Sequence, residues 1–367
     1  MMSILLEFNS FDGLFFRDAK PFSKGTDFRA RSIFPPLPSV VRGALRTKYF
    51  SENMQNFSKA GVDGDPSETI RINCVMLKYQ SELYVPVPQN FEIVVEDGVC
   101  KAFLLDIKPA PECSTYPLPY VLTVPDCFEG SEPAKGEDFI RIKDIAGILQ
   151  GSQKTVPCIR LSDIMFRELK TGIAADYRTG TNIKSMLYQS EMLYPFDEQN
   201  NPVSLVALAD RVNEVVPDGL LKLGGEGKAA YYHEIDTAIL RDLAYEIDVQ
   251  KYFSVTLLSP AIFKNGWCPG WISNTEEGQW IGKYNGVKVR LVAAACSRPV
   301  PISGFDMKRK LPKPMYYAAA AGSVYYFELL DGSPEAVLSA FHMRNISELQ
   351  QEEGLGYALV GQVSALT

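Results

Sequence analysis

The segment Gly224-Gly225-Glu226-Gly227-Lys228 is the first place where residue type and spacing suggest chemistry. Glycine removes the Cβ obstruction and leaves backbone N–H groups exposed, which is what a phosphate requires. A Walker-type loop needs Gly-x-x-x-x-Gly-Lys followed by Ser or Thr to hold the metal. Here the glycine spacing differs and Ala229 follows the lysine. A dinucleotide fingerprint is also missing, because no helix carrying a ribose-binding acid follows. Two readings stay open: close approach to a nucleic-acid backbone, or a tight turn before a strand.

Two basic zones stand out in a chain of formal net charge −7. Residues 1–50 hold eight basic residues (Arg17, Lys20, Lys24, Arg29, Arg31, Arg42, Arg46 and Lys48) against four acids. Phe11, Phe15, Phe16, Phe22, Phe28 and Phe34 are interleaved with them. Cations neutralise phosphates and exposed aromatic rings stack on unpaired bases. The alternative is that the phenylalanines are core and the charges a solvated rim. Residues 283–315 carry eight basic residues, among them Arg298, Lys308, Arg309 and Lys310, against the single acid Asp306. A second basic zone in an acidic chain points to a polyanion surface. A solvated loop over 307–314 is the competing reading.

Other chemistry is weakly represented. The two histidines, His233 and His342, have no motif around them, and no His-x-Glu, His-Glu-x-x-His or Gly-x-Ser-x-Gly pattern occurs. No metal site and no cofactor are expected. A nuclease or glycosidase site assembled from distant acids needs no local motif. The seven cysteines (74, 100, 113, 127, 158, 268 and 296) are odd in number and lack a Cys-x-x-Cys pair, so they read as reduced, mostly buried thiols. No signal peptide and no run of 18 apolar residues is present, so the expectation is a cytoplasmic protein without membrane contact.

The elements that must position these residues follow from periodicity. Ser3 to Phe8 reads as a strand, and a helix follows with Ser39 as its cap and Val40, Val41, Ala44, Leu45 and Tyr49 on one side. Strands are expected at 70–79, 82–88, 91–95 and 101–107, and six prolines mark 108–136 as a long loop. A helix is expected at 138–149 and an arm or hairpin at 171–194. In the second half, strands are expected at 252–258, 287–296 and 322–330, with a helix capped by Ser333 running to about 353. Each half closes with a glycine-rich turn into a strand, the second at Gly354-Leu355-Gly356-Tyr357. This is a weak duplication, and with 367 residues it indicates two α+β domains on antiparallel sheets, divided into 1–240 and 241–367.

Several segments, in order, resemble a known family. They are Phe16-Arg17-Asp18-Ala19-Lys20-Pro21-Phe22, Ala30-Arg31-Ser32-Ile33-Phe34-Pro35 and Val41-Arg42-Gly43-Ala44-Leu45-Arg46-Thr47. Leu223-Gly224-Gly225-Glu226, Ser297-Arg298-Pro299, Ile302-Ser303-Gly304-Phe305-Asp306-Met307, Ala321-Gly322-Ser323-Val324 and Gly354-Leu355-Gly356-Tyr357 complete the set. The set resembles the third subunit of the type III-B CRISPR Cmr RNA-targeting complex, within the RAMP superfamily. Residues 50–160 match least.

The resemblance implies two tandem ferredoxin-like (RRM-like) domains with long loop insertions and glycine-rich loops. It also implies a non-catalytic subunit that holds the 5′ tag of the guide RNA. Its implied protein partners are the large polymerase/cyclase-like subunit and the adjacent RAMP backbone subunit. Arg17, Lys20, Arg29 and Arg31 would then meet tag phosphates, with Arg42 and Arg46 adding to that surface. Gly224, Gly225 and Lys228 would lie close to the RNA backbone. Arg298, Lys308 and Arg309 would face RNA or protein, and the arm would wedge against RNA or a neighbouring subunit. The runner-up is a RAMP-type endonuclease acting on repeat RNA. Such enzymes commonly use a histidine, which the N-terminal segment lacks. A stand-alone carbohydrate or nucleotide enzyme is the third reading.

Overall fold

The computed structural model describes residues 3–19, 29–125, 130–210, 218–243, 246–306, 311–363 and 366. The architecture is α+β, mostly strands with few helices, as the sequence leads one to expect. The chain forms two compact units, each discontinuous in sequence. The first comprises Met1–Gln80, Ser162–Ile235 and Pro301–Tyr316, and the second Ser81–Leu161, Asp236–Val300 and Tyr317–Thr367. The single division expected between 240 and 241 thus becomes an interleaving, because segments inserted between strands of one unit belong to the other.

In the first unit, strand Ser3–Ser10 lies at the centre of an antiparallel array. It pairs with Val203–Asp210 on one side (Leu6 opposite Ala207) and Ala229–Ile235 on the other (Glu7 opposite His233). Arg71–Tyr79 flanks Val203–Asp210, and Asp218–Lys222 flanks Ala229–Ile235. Leu5, Leu6, Glu7 and Phe8 are all buried, so this strand is covered on both faces and reads as a continuous apolar run. Its one acid, Glu7, accepts hydrogen bonds from Lys78 and Ser204, each at 2.6 Å.

Helix Pro38–Glu52 buries Val41, Ala44, Leu45, Tyr49 and Phe50. Ser39 does not cap it. The N-cap is Leu37, without a side-chain hydrogen bond, and Pro38 starts the helix with its φ already set and no N–H to satisfy.

The second unit centres on Tyr252–Leu257, paired antiparallel with Val324–Asp331 and Tyr357–Gln362. Val287–Ala295 lies beyond Val324–Asp331. One face packs Phe253, Val255, Leu257 and Phe327 against Val337, Ala340 and Phe341 of helix Pro334–Phe341. On the other, Val292, Ala293, Val324 and Tyr326 meet Ile107, Tyr120 and Leu122. Those last residues lie in a hairpin, Asp106–Pro109 with Tyr120–Thr123, which runs from the end of the strand expected at 101–107 into the stretch 108–136 expected to be one long loop.

Ser333 does cap its helix, accepting the Ala336 N–H at 3.2 Å. The helix stops at Phe341, well short of 353, because His342 is extended and Met343 turns at φ +54°. Residues 138–149 also divide, into strand Asp138–Arg141 and helix Ile142–Leu149, since Phe139 to Arg141 pair with Tyr84 to Pro86.

The cysteine reading needs one correction. Cys100 and Cys158 form a disulfide with Cα atoms 5.3 Å apart. Lys101 lies opposite Pro157 in the antiparallel pair, so the next register step faces the two cysteines across 58 residues of sequence. Cys74 and Cys268 are buried free thiols, and burial pushes each up to about 12. Cys113 is exposed, and Cys127 lies outside the described residues. No helix among the described residues is long and apolar enough to cross a membrane.

Candidate nucleic-acid interface

In the first unit the N-terminal basic stretch is built into a ribbon. The Ile33 N–H donates to Phe16 O at 2.8 Å and the Asp18 N–H to Arg31 O at 3.1 Å. Residues 29–30 pair in parallel with Gln189 and Ser190 of a long hairpin, Phe166–Ala175 with Asn182–Tyr194. Arg29 and Arg31 alternate with buried Ala30 and Ser32, so both arginines leave on the solvent side. Arg17 is exposed across the ladder, bridged to Ser32. Buried Glu191 supports the ribbon from the hairpin, accepting the Ser32 N–H at 3.3 Å and pairing with Arg167 at 3.5 Å. Three arginines are thereby brought onto one two-stranded ribbon, Arg17 in register with Ser32 and Arg29 and Arg31 on the neighbouring segment.

The glycine loop packs on the same ribbon. The Gly225 N–H donates to Phe15 O at 2.8 Å. A Cβ on Gly224 would stand 2.6 Å from that same carbonyl oxygen, and φ there is +78°. The close approach that these glycines permit is therefore to the protein's own 15–16 segment. Glu226 pairs with Lys170 of the hairpin at 3.0 Å, and Lys228 with Asp12. The hydrogen bond from Lys228, then that from the Gly13 N–H, hold the Asp12 carboxyl below its usual range. Lys228 is thus already neutralised. Only Gly227, at φ +67° with nothing within 4 Å, faces open space.

Arg42 and Arg46 do not contribute to this surface. Arg42 is buried, and its guanidinium donates to the carbonyls of Ile70 (2.8 Å) and Glu68 (3.3 Å). Arg46 donates to Ser67 Oγ at 2.9 Å and Asp65 Oδ2 at 2.5 Å. Both lie on the helix at spacing i, i+4 and grip one loop. Arg298 is exposed in the second unit, just after strand Val287–Ala295. Lys20, Lys308 and Arg309 lie outside the described residues.

Three of the interleaved phenylalanines are core and one is exposed. Phe15, Phe16 and Phe34 are buried, with the Phe16 and Phe34 rings 6.1 Å apart. Phe11 is 68% exposed, and Phe22 and Phe28 fall outside the described residues.

The hairpin adds further exposed aromatic rings, Tyr177 and Tyr188. Its strands rise about 30 Å for ten residues. Tyr177 stands at the tip, 87% exposed, with the Arg178 guanidinium 5.4 Å from its ring centre and donating to its hydroxyl at 2.7 Å. Tyr188 lies opposite Gly172, where an added Cβ would fall 2.2 Å from the ring. Sequence reasoning located the arm but missed this ring–guanidinium pair, whose signal was an aromatic next to a cation in an Asp-x-x-x-Gly turn.

Both histidines sit in structural positions. His342 accepts the Val360 N–H on Nδ1 at 3.2 Å, and burial lowers its pKa. His233 Nε2 stands 3.7 Å from Glu7 on the sheet. Among the described residues, no three His, Cys, Asp or Glu side chains converge as metal ligands.

Residues 7–363 match the family described as CRISPR-associated protein (Cas_Cmr3). The chain belongs to the Cmr3 family. This is the family that the quoted segments resemble. No curated protein matches the sequence. Among solved structures, the chain is similar to one in the type III-B Cmr-beta complex bound to cognate target RNA. That match has 16% identity and a TM-score of 0.49, covering 88% of this chain and 86% of the other. The same complex with target RNA and AMPPnP gives 18% identity and a TM-score of 0.48, with the same coverage. A chain of the Csm3–Csm4 subcomplex of the type III-A interference complex matches at 13% identity and a TM-score of 0.38, over 99% of this chain and 100% of the other.

Proposed function

We propose that this Cmr3-family chain is a non-catalytic RNA-binding subunit of a type III-B CRISPR effector. It anchors the 5′ tag of the guide RNA and docks the large polymerase/cyclase-like subunit beside the RAMP backbone. The observation that carries the reading is the ribbon. Arg17, Arg29 and Arg31 are exposed on one two-stranded ribbon, which pairs with a hairpin that ends in Tyr177 and Arg178. Exposed guanidinium groups along a ribbon suit phosphates, and an exposed ring beside a cation suits an unpaired base. Gly227 leaves room for a sugar–phosphate chain next to the ribbon.

The strand order supports the ferredoxin-like part of the reading. In each unit the four principal strands, numbered by sequence, lie in the order fourth, first, third, second, all antiparallel. A β-α-β-β-α-β path produces that order.

The test is RNA binding by the purified chain, with Arg17, Arg29 and Arg31 all changed to alanine. Each lost phosphate contact on single-stranded RNA flattens the log–log salt dependence by about 0.7. The triple variant is expected to bind tag RNA more weakly, with a slope shallower by about 2. An unchanged affinity and slope would remove the ribbon from the interface.

A further inference from the structure

The sheet of the first unit ends on a strand with one free side. Asp218–Lys222 pairs with Ala229–Ile235 in unbroken register, from Asp218 opposite His233 to Lys222 opposite Ala229. Among the described residues it is the outermost strand of its sheet. In an antiparallel pair the N–H and C=O of one residue point the same way, and those of the next residue point the other way. The Leu223 N–H donates to Lys228 O at 2.8 Å, so Leu223, Leu221 and Gly219 turn their backbone groups toward the neighbouring strand. Asp218, Leu220 and Lys222 therefore turn theirs outward. A row of unpaired backbone groups is a template for a further strand.

The side chains at this edge do not guard it. Leu221 is buried, whereas Leu220 is 59% exposed and lies opposite Tyr231, which is also exposed. Edge strands are ordinarily blunted by lysines, proline or a bulge. This strand instead carries one charge of each sign, Asp218 and Lys222, two residues to either side of Leu220. Both are exposed, and the pleat sets them on the same face as Leu220. Asp218 accepts from the Tyr231 hydroxyl at 3.5 Å, and among the described residues neither charge is ion-paired.

The segment Asp-Gly-Leu-Leu-Lys complements itself. When a second copy is turned antiparallel about Leu220, Asp218 faces the second copy's Lys222, Leu220 faces Leu220, and Lys222 faces Asp218. In that register the outward N–H and C=O groups of all three residues meet their acceptors and donors. Tyr231 and Leu220 of each copy join in one apolar row across the twofold axis. Opposite charges directly across a strand pair stabilise it, and like charges destabilise it. In-register parallel pairing would set Asp218 against Asp218 and Lys222 against Lys222. The match is to the strand's own sequence read backwards, which selects a second copy of this chain as the occupant. We propose that the chain self-associates as an isologous dimer through the Asp218–Lys222 edge. The proposal goes beyond RNA binding and is independent of it, since Arg17, Arg29 and Arg31 lie on other segments.

The experiment is sedimentation equilibrium of the purified full chain over a range of concentrations. Wild type should show a reversible monomer–dimer equilibrium. Asp218→Lys and Lys222→Asp each turn both symmetry-related opposite-charge pairs into like-charge pairs, so each should raise the dimer dissociation constant about tenfold. Mixing the two variants should restore dimerisation to near the wild-type value, because each then faces its complement. The double variant, Asp218→Lys with Lys222→Asp, should dimerise by itself, which keeps the test decisive where a single variant folds poorly. A wild-type chain that stays monomeric at every concentration would overturn the proposal. So would single variants that dimerise as wild type does, or a mixture and a double variant that both fail to recover. None of these outcomes touches the RNA-binding proposal, whose own test is the triple arginine variant.

Discussion

The two units face the same physical problem and hold it down differently. Each has a four-strand antiparallel centre interrupted by long irregular insertions, whose backbone must be fixed against a large loss of conformational entropy. In the first unit the fastenings are ionic. Asp65 with Arg46, Glu191 with Arg167, and Glu226 with Lys170 tie loop, ribbon and hairpin in place. In the second, ion pairs such as Arg141–Asp144 are joined by covalent and apolar fastenings. Cys100 is bonded to Cys158, Trp280 donates its indole N–H to Pro117 O at 3.1 Å, and the 106–123 hairpin packs on Tyr326 and its neighbours. The difference teaches that, on equivalent strand orders, both units use ion pairs and, among the described residues, only the second adds a redox-sensitive link.

The comparison breaks most directly at Asp65. Asp65→Ala leaves a guanidinium and two N–H groups without their acceptor, so about 3–5 kcal/mol of stability should be lost. Denaturant unfolding of the isolated chain measures it, and a change under about 0.5 kcal/mol would mean that the ionic fastening is incidental. The matching experiment in the second unit is reduction. Opening the Cys100–Cys158 loop should cost about 2–4 kcal/mol, and dithiothreitol should lower the thermal midpoint of wild-type but not of a Cys100→Ser, Cys158→Ser variant.

Glycine turns sharpen the comparison at a smaller scale. An added Cβ on Gly356 would meet the Ser347 backbone nitrogen at 2.3 Å, against 2.6 Å to Phe15 O for Gly224 and open space for Gly227. All three have positive φ. Gly356→Ala and Gly224→Ala should each destabilise by about 2 kcal/mol or more, and Gly227→Ala by about 1 kcal/mol, from backbone strain alone. Equal losses at the three sites would show that the internal close approaches cost nothing.

The smallest expected effect is in pH. Burial alone would raise the Asp65 carboxyl, but hydrogen bonds from Gly61 and Ser67 and the Arg46 charge outweigh it, so its pKa is lowered. Asp197 behaves alike: burial raises it, but the Tyr79 hydroxyl and Asn201 bring it down to about 2. A carboxylate lowered on folding contributes its stability above the unfolded value of about 3.9 and loses it as pH falls through the folded value. Thermal midpoints should therefore decline between about pH 4 and pH 2. Asp65→Asn, already without that charge, should decline less, and a parallel decline would assign the acid sensitivity elsewhere.

Much of the strand framework was legible in the sequence. Apolar runs such as Ile4 to Phe8 and the alternation at 287–291 announce strands wherever packing demands them locally. The arm was legible from its turn residues, and the family from short segments in order. The candidate site was legible only in part. Arg29, Arg31 and Arg42 look alike in a basic stretch. Yet two alternate outward from a ribbon whose pairing partner is about 160 residues away, while the third turns inward to carbonyls of a later loop.

By itself, then, the sequence determined which segments extend, where glycine turns fall, and that positive charge collects near the N-terminus. Side-chain periodicity and backbone sterics act over a few residues and are written in the local order. Only the tertiary structure decided which cations face solvent, that Cys100 meets Cys158, and that residues 81–161 belong with the second unit. Those outcomes depend on strand register and on which partner reaches a buried charge. Both are set by contacts between residues far apart in the chain.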